Sequence, residues 1–305
     1  MALTLALLGA GAVVLYLGAE AAVRGAAGLS RTQRIPAFAL GALLFGVDLE
    51  GLGAALVAAG RGQTEIAAGE SFGTILFLFS LALGAALLLS RTPVPSPSPA
   101  MVALPALPVI ACAVAITDRY VARVEGLLLV VIYVGYVVMV VMRGDAPDRE
   151  LDEAPAAGRP LGLGMLTAGG LVLVYVGATL LVAGGGRLVD LTALSAGFVG
   201  VAVVGILVSL DEVLLEVIPI RRGEPELATG NLFGTLAAFT TGVPGLAALV
   251  RPLILDGVAA AAFLGVALLY FVVGTTFLLR GKAGRLLGAT VLILYAAWLA
   301  LASQA

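Results

Sequence analysis

The fold of this chain is decided by a stretch that occurs twice in the sequence, first as RGQTEIAAGESFGT at residues 61–74. The second copy is RGEPELATGNLFGT at residues 222–235. Another pair precedes them, because YLGAEAAVRGAAGL at residues 16–29 corresponds to YVGATLLVAGGGRL at residues 175–188. The separation of the copies changes by two residues between the two pairs, which indicates an insertion or deletion between them. We therefore expect two homologous halves.

The composition is that of an integral membrane protein. Of the 305 residues, 61% are hydrophobic and 12% are charged, and the mean hydropathy is +1.13, whereas soluble domains are about a quarter charged. The formal net charge of −2 argues against a surface for nucleic acid or for anionic lipid. The chain contains no histidine and one cysteine, Cys112. With no phosphate-binding loop and no nucleophile–base pair, we predict neither an enzyme nor a cofactor.

Runs of about 20 apolar residues are long enough to cross a bilayer as helices. The sequence contains ten, at about 2–24, 36–60, 66–90, 99–117, 122–142, 161–183, 193–220, 227–250, 254–279 and 284–303. We predict an all-α integral membrane fold of ten transmembrane helices. The first repeat spans 1–143, a polar cytoplasmic linker spans 144–160, and the second repeat spans 161–305. Since five is an odd number, the second repeat enters the membrane inverted, which is typical of alternating-access transporters.

The distribution of basic residues predicts the orientation. If the amino terminus lies outside, the inner loops hold 12 of the basic residues and the outer loops hold 5. Inner loops are enriched in lysine and arginine. We therefore expect a multi-pass protein of the plasma membrane with both termini outside.

Six acidic residues lie inside predicted spans, where an ionised carboxylate costs about 3 kcal/mol. They are Asp48, Glu50, Glu70, Asp211, Glu212 and Glu216. No lysine or arginine lies at a comparable depth, so bound cations or protons are expected to neutralise them. Oxygen ligands without sulfur or imidazole favour Na⁺, Ca²⁺, Mg²⁺ or H⁺. Glu216 lies nearer the inner end, and an ion pair with Arg221 or Arg222 is an equal alternative for it.

The stretch GVDLEG at residues 46–51 places two acids and two glycines in the middle of its span, where the glycines could allow a break. On a regular helix Asp48 and Glu50 point about 200° apart. Both carboxylates face one cavity only if the helix is interrupted, and the neighbouring glycines allow this.

With these motifs the chain resembles the cation/Ca²⁺ antiporter superfamily, the sodium/calcium exchanger-type membrane proteins. Their repeats carry G-[TS]-S-x-P-E followed by G-N-x-x-G-[ST]-N-x-x-[ND]. LVSLDE at 207–212 keeps Ser209 and Glu212 of the first motif and has Asp211 in place of proline. GNLFGT at 230–235 keeps Asn231, while Phe239 occupies the position of the last polar ligand.

The first repeat departs further from the family pattern. Gly51 stands at the position of the glutamate, with Asp48 at the serine and Glu50 at the proline. Glu70 replaces the asparagine, and Leu78 replaces the final ligand. The resemblance implies the architecture more strongly than Na⁺ and Ca²⁺ specificity.

We predict a secondary antiporter that exchanges Ca²⁺ or another divalent cation for Na⁺ or H⁺. Its partners are inorganic cations and the lipid bilayer. The predicted metal ligands are Asp48, Glu50, Asp211 and Glu212, with Glu70, Ser209 and Asn231 as auxiliary oxygens. The alternative is a membrane scaffold or sensor that keeps the fold and has lost exchange, and Leu78 and Phe239 favour it.

Overall fold

The computed structural model describes residues 2–46, 48–143, 159–191 and 210–302. Ser209 and most of the linker predicted at 144–160 lie outside these ranges, as does the first part of the span predicted at 193–220. Within the described ranges the chain is almost entirely helical, with two short two-stranded sheets.

The first half contains eight α-helices within its described residues, and one helix is much longer than its predicted span. The elements are α1 (Ala2–Gln33), α2 (Ala37–Leu40), π1 (Gly41–Phe45), α3 (Leu49–Gly60), α4 (Thr64–Phe77), π2 (Leu78–Ala82), α5 (Leu83–Leu89), β1 (Val94–Pro95), α6 (Pro99–Ala103), α7 (Ala106–Ala115), β2 (Tyr120–Val121) and α8 (Arg123–Arg143). The prediction ended the first span near residue 24, but α1 carries Arg24 and Arg31 on its last turns.

The second half repeats the first in its local details. Its described elements are α9 (Pro160–Leu191), α10 (Leu210–Arg221), α11 (Pro225–Ala237), π3 (Ala238–Gly242), α12 (Val243–Val250), β3 (Leu253–Ile254), α13 (Gly257–Arg280), β4 (Lys282–Ala283) and α14 (Arg285–Ala302). Each copy of the RG turn has a left-handed glycine, Gly62 at φ 83° and Gly223 at φ 79°. Each long helix that follows the turn is interrupted by a π-helical segment, π2 or π3.

Six helical segments in the described part of the chain are long and apolar enough to cross a membrane. They are Leu3–Gln33, Thr64–Leu89, Arg123–Arg143, Pro160–Leu181, Pro225–Val250 and Gly257–Arg280. Shorter apolar helices cover Gly51–Gly60, Pro99–Ala115 and Arg285–Ala300. Two predicted spans are shorter for visible reasons, since one is broken before α3 and another changes from α6 to α7 at Pro105. The protein is thus a helical, multi-pass membrane protein, and ten spans remain a prediction.

Helices α1 and α9 pack antiparallel through two rows of glycines spaced by seven residues. A Cβ on Gly18 would lie 2.6 Å from the backbone nitrogen of Val174, and one on Gly177 would lie 2.5 Å from that of Leu15. Gly25 and Gly170 make equally close backbone contacts across the same interface. Small residues let helix backbones approach in this way within membranes. The two helices therefore share a seam that has no room for side chains at these points.

The centre of the protein is the rod formed by α11 and π3. Every residue of α11 from Leu227 onward is buried, as is every residue of π3. The ring of Phe233 on α11 packs at 6.2–6.3 Å between centroids against Phe38, Phe79, Tyr270 and Phe277. This aromatic cluster joins elements of both halves.

Two antiparallel strand pairs join the halves at their connecting loops. In the first pair, Val94 of β1 lies opposite Ala283 of β4. In the second, Tyr120 of β2 lies opposite Ile254 of β3. Each pair unites the loop after the third span of one half with the loop after the fourth span of the other half.

Candidate functional site

A cavity of about 300 Å³ lies between π1, α9, α10 and α11. Its polar lining comes from both halves and consists of Asp48, Tyr175, Asp211, Glu212, Asn231 and Thr235. Apolar side chains of α9, among them Leu171 and Val174, form much of the remaining wall. Carboxylates of the two repeats thus face a common space.

The span predicted at 36–60 is not one continuous α-helix. The π-helical segment π1 ends at Phe45, and α3 begins at Leu49. Asp48 lies immediately before α3, and its Oδ2 atom accepts a hydrogen bond of 3.0 Å from the backbone N–H of Gly51. This is the position at which an aspartate caps the amino end of a helix. The same carboxylate therefore starts the helix and lines the cavity.

Glycines hold the broken span directly against α11. A Cβ on Gly41 would lie 2.1 Å from the carbonyl oxygen of Leu227, and one on Gly46 would lie 2.8 Å from the backbone nitrogen of Thr235. From the other side, a Cβ on Gly230 would lie 2.2 Å from the carbonyl oxygen of Phe38. Backbone contact on both sides fixes the break beside Asn231 and Thr235.

Glu216 has a different partner from the one considered in the sequence analysis. The Nδ2 atom of Asn231 donates a hydrogen bond of 3.1 Å to Oε1 of Glu216. Both residues are buried, with 1% and 3% of their surfaces exposed. Arg222 instead contacts Glu20 on α1. The pair therefore joins α10 to α11 inside the protein, where an unmade hydrogen bond is costly.

Four other acidic residues lie within electrostatic range of Glu212. The carboxylates of Asp48, Glu70, Asp211 and Glu216 are all near enough to interact electrostatically with the carboxylate of Glu212. Asp48 and Glu70 belong to the first half, and the other three belong to the second. Carboxylates brought together in this way repel each other unless protons or cations neutralise them.

The described side chains do not form a closed metal site. Among them, no three groups of the His, Cys, Asp and Glu types converge closely enough to hold a metal ion by themselves. Glu50 lies on the first turn of α3, but its side chain is outside the described set, and so is all of Ser209. The predicted ligands Asp48, Asp211, Glu212 and Asn231 line the cavity, whereas Glu70 lies near Glu212 without lining it.

Two departures from the family motif are in contact with each other. A Cβ on Gly51 would lie 2.5 Å from Oδ2 of Asp48 and 3.0 Å from Cζ of Phe239. Phe239 is completely buried. The aromatic ring at the position of a polar ligand thus packs beside the glycine at the position of a glutamate. A side chain at residue 51 would therefore require the Asp48 carboxylate to move and this ring to shift by a few tenths of an ångström.

Sequence reasoning missed the α9 wall and gave Thr235 little weight. Tyr175 opens the repeated stretch YVGATLLVAGGGRL, and its place in the repeat is the one signal for a role of α9. The Glu216–Asn231 pair had no sequence signal, because the two residues lie on different helices.

Comparisons with known proteins identify a family for this chain. The family model of the sodium/calcium exchanger protein matches residues 3–142 and 163–304. CaxA of Alkalimonas amylolytica, named as a candidate antiporter, is 26% identical over 264 residues and covers 82% of each chain. The uncharacterized membrane protein MJ0091 of Methanocaldococcus jannaschii is 25% identical over 287 residues and covers 93% of each chain.

Solved structures of the sodium-calcium exchanger NCX_Mj have the same fold. The structure soaked with 10 mM Na⁺ and 10 mM Sr²⁺ superposes with a TM-score of 0.82 at 24% identity, over 98% of both chains. The structure soaked without Na⁺ and Ca²⁺ gives the same TM-score, identity and coverage.

Proposed function

Because this chain belongs to the sodium/calcium exchanger protein family, whose members are transporters and not enzymes, we propose that it is a secondary active cation antiporter. It exchanges Ca²⁺ or another divalent cation for Na⁺ or H⁺. The transported ions bind at the cavity between the halves. Asp48, Glu50, Asp211 and Glu212 are the ligands, and Glu70, Ser209 and Asn231 supply auxiliary oxygens.

One observation carries this proposal: Asp48 of the first half and Asp211 and Glu212 of the second half line the same cavity. In the low dielectric of a membrane protein, adjacent carboxylates are stable together only with positive charge between them. A transported cation supplies that charge, and a proton replaces it when the cation leaves. Competition between the two for the same oxygens couples their movements.

We also propose the inverted architecture on which alternating access depends. Residues 1–143 form the first five-helix repeat, residues 144–160 form the cytoplasmic linker, and residues 161–305 form the inverted second repeat. The antiparallel glycine seam of α1 and α9 supports this arrangement, and so do the matching left-handed glycines. By the distribution of basic residues, both termini lie outside the plasma membrane.

The contact of Phe239 with Gly51 favours H⁺ over Na⁺ as the counter-ion. It removes two oxygen positions that the family motif supplies, while the carboxylates that remain can still accept protons. A double variant, Gly51→Glu with Phe239→Asn, reinstates the glutamate of the first repeat and the last polar ligand of the second. It is expected to increase the Na⁺-driven share of the flux. An unchanged ratio of Na⁺-driven to H⁺-driven flux would contradict the proposed counter-ion.

Flux measurements in liposomes test the function itself. Purified protein is reconstituted with internal ⁴⁵Ca²⁺, and release is followed under an imposed Na⁺ or H⁺ gradient. Asp48→Asn is expected to abolish release, whereas Glu65→Gln, at the exposed start of α4, serves as the matched control.

The scaffold or sensor remains the second candidate, because Leu78 and Phe239 are buried apolar residues at positions where the family has polar ligands. This alternative predicts no release of Ca²⁺, Mg²⁺ or Mn²⁺ from the liposomes under either a Na⁺ or an H⁺ gradient. Wild-type release in any one of these conditions excludes it.

A further inference from the structure

We propose that this protein binds one anionic phospholipid at a basic corner formed by Arg91, Arg280, Lys282 and Arg285. The phosphate lies among these four side chains, and an acyl chain lies in the groove between α13 and α14. This inference concerns a surface away from the carboxylate cavity and does not depend on transport.

The strand pair β1–β4 brings the four basic residues together from distant parts of the sequence. Pro95 lies opposite Lys282 in the ladder, and the backbone N–H of Ser96 donates a 2.9 Å hydrogen bond to the carbonyl oxygen of Gly281. Arg285 donates through Nη2 to the carbonyl oxygen of Ser90, 3.3 Å away. The basic side chains at the ends of α5 and α13 and at the start of α14 therefore share one corner, and all four are exposed.

A groove of about 280 Å³ runs from this corner between α13 and α14. Its lining includes Arg280, Leu286, Leu287 and three threonines, Thr275, Thr276 and Thr290. The threonine hydroxyls donate to carbonyl oxygens of their own helices. With these donors engaged, the groove suits a hydrocarbon chain, and Arg280 provides the charge at its end.

Exposed leucines extend the apolar surface beside the groove. Leu279 is 85% exposed and Leu286 is 69% exposed. Both adjoin basic residues in the sequence, so the surface changes from charged to apolar within one helical turn. A phospholipid changes in the same way, from a charged headgroup to apolar acyl chains. A free phosphate ion has no apolar part to bind the leucines.

The second strand pair provides an internal comparison. The corner at β2–β3 contains Arg119, Arg123 and Arg251, but also the acids Asp118, Glu125 and Asp256. These acids accept hydrogen bonds from backbone N–H groups, those of Tyr120, Ala122 and Ala259 respectively. The segments 90–98 and 279–288 of the basic corner contain no acid. A general excess of positive charge on one membrane face does not explain why four cations converge beside a groove.

This proposal departs from an expectation based on composition. The net charge of −2 argued against a surface for anionic lipid. Net charge describes the whole chain, however, whereas the two segments that form this corner contain basic residues and no acid. A cluster of basic residues at the membrane surface attracts anionic lipid with about 1 kcal/mol for each cation.

Native mass spectrometry of the full-length protein tests the site. Delipidated protein is mixed with phosphatidylglycerol or with phosphatidylcholine of the same acyl chains, and retained lipid is counted. We expect one phosphatidylglycerol to be retained in preference. Each neutralised cation is expected to weaken its retention about five-fold, so the triple variant R280Q/K282Q/R285Q loses it almost completely. The matched control R119Q/R123Q/R251Q removes the same charge from the other corner and retains the lipid.

Two further measurements separate the sources of binding. Thr290→Trp fills the groove while it leaves all four cations, and it is expected to reduce retention of phosphatidylglycerol. Glycerol phosphate, which has no acyl chains, is expected not to displace the lipid at equal concentration. Equal loss in the two triple variants, full retention in Thr290→Trp, or displacement by glycerol phosphate would each overturn the proposal. If the triple variant does not fold, the single variant Lys282→Gln is used instead, and it is expected to weaken retention of phosphatidylglycerol about five-fold.

Discussion

The two halves of this protein share a backbone plan but place their acids differently. The first half has Asp48, Glu50 and Glu70 in its spans, and the second has Asp211, Glu212 and Glu216. When the two halves are aligned on the repeated RG turn, Glu50 and Asp211 are the one pair of these acids that falls at the same position. Glu70 corresponds to Asn231, Gly51 to Glu212, and Ala55 to Glu216. Each half thus has three of these acids, but two of the three in each half align with a residue of the other half that is not acidic.

The second half contains a buried pair of polar side chains. Asn231 and Glu216 are buried and hydrogen-bonded to each other, whereas Glu70 is only half-buried. In the first half, Ala55 is completely buried where the second half has Glu216. Repeated packing therefore does not require repeated chemistry, and the following variants test how far the asymmetry extends.

The largest effect is expected from Glu212→Gln. Glu212 lines the cavity within electrostatic range of acids from both halves, and losing a charged partner in a desolvated site costs about 3 kcal/mol, or roughly a hundred-fold in cation affinity. Release of ⁴⁵Ca²⁺ from liposomes measures the change, with Glu65→Gln as the control. Flux within two-fold of wild type in Glu212→Gln would show that the second half does not dominate the site.

Asn231→Ala is expected to destabilise the protein by about 1–3 kcal/mol, because the buried carboxyl group of Glu216 loses its donor. Glu70→Ala at the corresponding position is expected to have a smaller effect, since Glu70 is half-buried. Unfolding in detergent, followed by the fluorescence of the single tryptophan, Trp298, measures both.

A double-mutant cycle sharpens the same comparison. Glu216→Ala combined with Asn231→Ala should cost less than the sum of the single variants, because each single variant leaves one polar partner unsatisfied. Additive effects would contradict a direct interaction between the two residues.

Gly18→Ala and Gly177→Ala are expected to be destabilising by similar amounts, about 1–2 kcal/mol each. The added methyl group meets backbone atoms of the opposite helix in both variants, and this outweighs the better helix propensity of alanine. Gly9→Ala is the control, because nothing lies within 4 Å of a Cβ there. Strongly unequal effects would show that the seam is not symmetric.

The smallest effect is expected from Arg31→Gln. Arg31 pairs with Glu224 across the halves, but their side chains are 38% and 23% exposed. Exposed ion pairs contribute about 0.2–1 kcal/mol and weaken with salt. The difference between Arg31→Gln and wild type should therefore disappear at high ionic strength in the same unfolding assay. A loss that persists in high salt would indicate that Arg31 contributes by packing instead.

Much of this organisation could be predicted from the sequence, because it depends on local patterns. The repeated RG stretch indicated that the local structure at residues 61–74 recurs at 222–235, and both copies have a left-handed glycine. The glycines of GVDLEG indicated where a break beside Asp48 was possible. The end of α1 could not be predicted in this way, since Arg24 and Arg31 resemble loop residues. Both residues nevertheless lie within the helix, where Arg24 pairs with Glu20 and Arg31 pairs with Glu224.

The partner of Glu216 was inaccessible for a different reason. Hydrophobic periodicity specifies which face of a helix is buried, but it does not specify which residue of another helix lies opposite. The α9 wall of the cavity and the contact of Phe239 with Gly51 likewise depend on how the halves dock. A single sequence carries no direct signal for such long-range pairs.

The two strand pairs have a consequence for the origin of the chain. Each half contributes one strand to each pair. In both pairs, the loop after the third span of one half meets the loop after the fourth span of the other. Such reciprocal contacts are those of a two-fold symmetric dimer, in which one surface patch on each subunit meets the same patch on the other. An ancestral protein of half this length, assembled as an antiparallel dimer, would already have had both ladders before gene duplication and fusion joined its subunits.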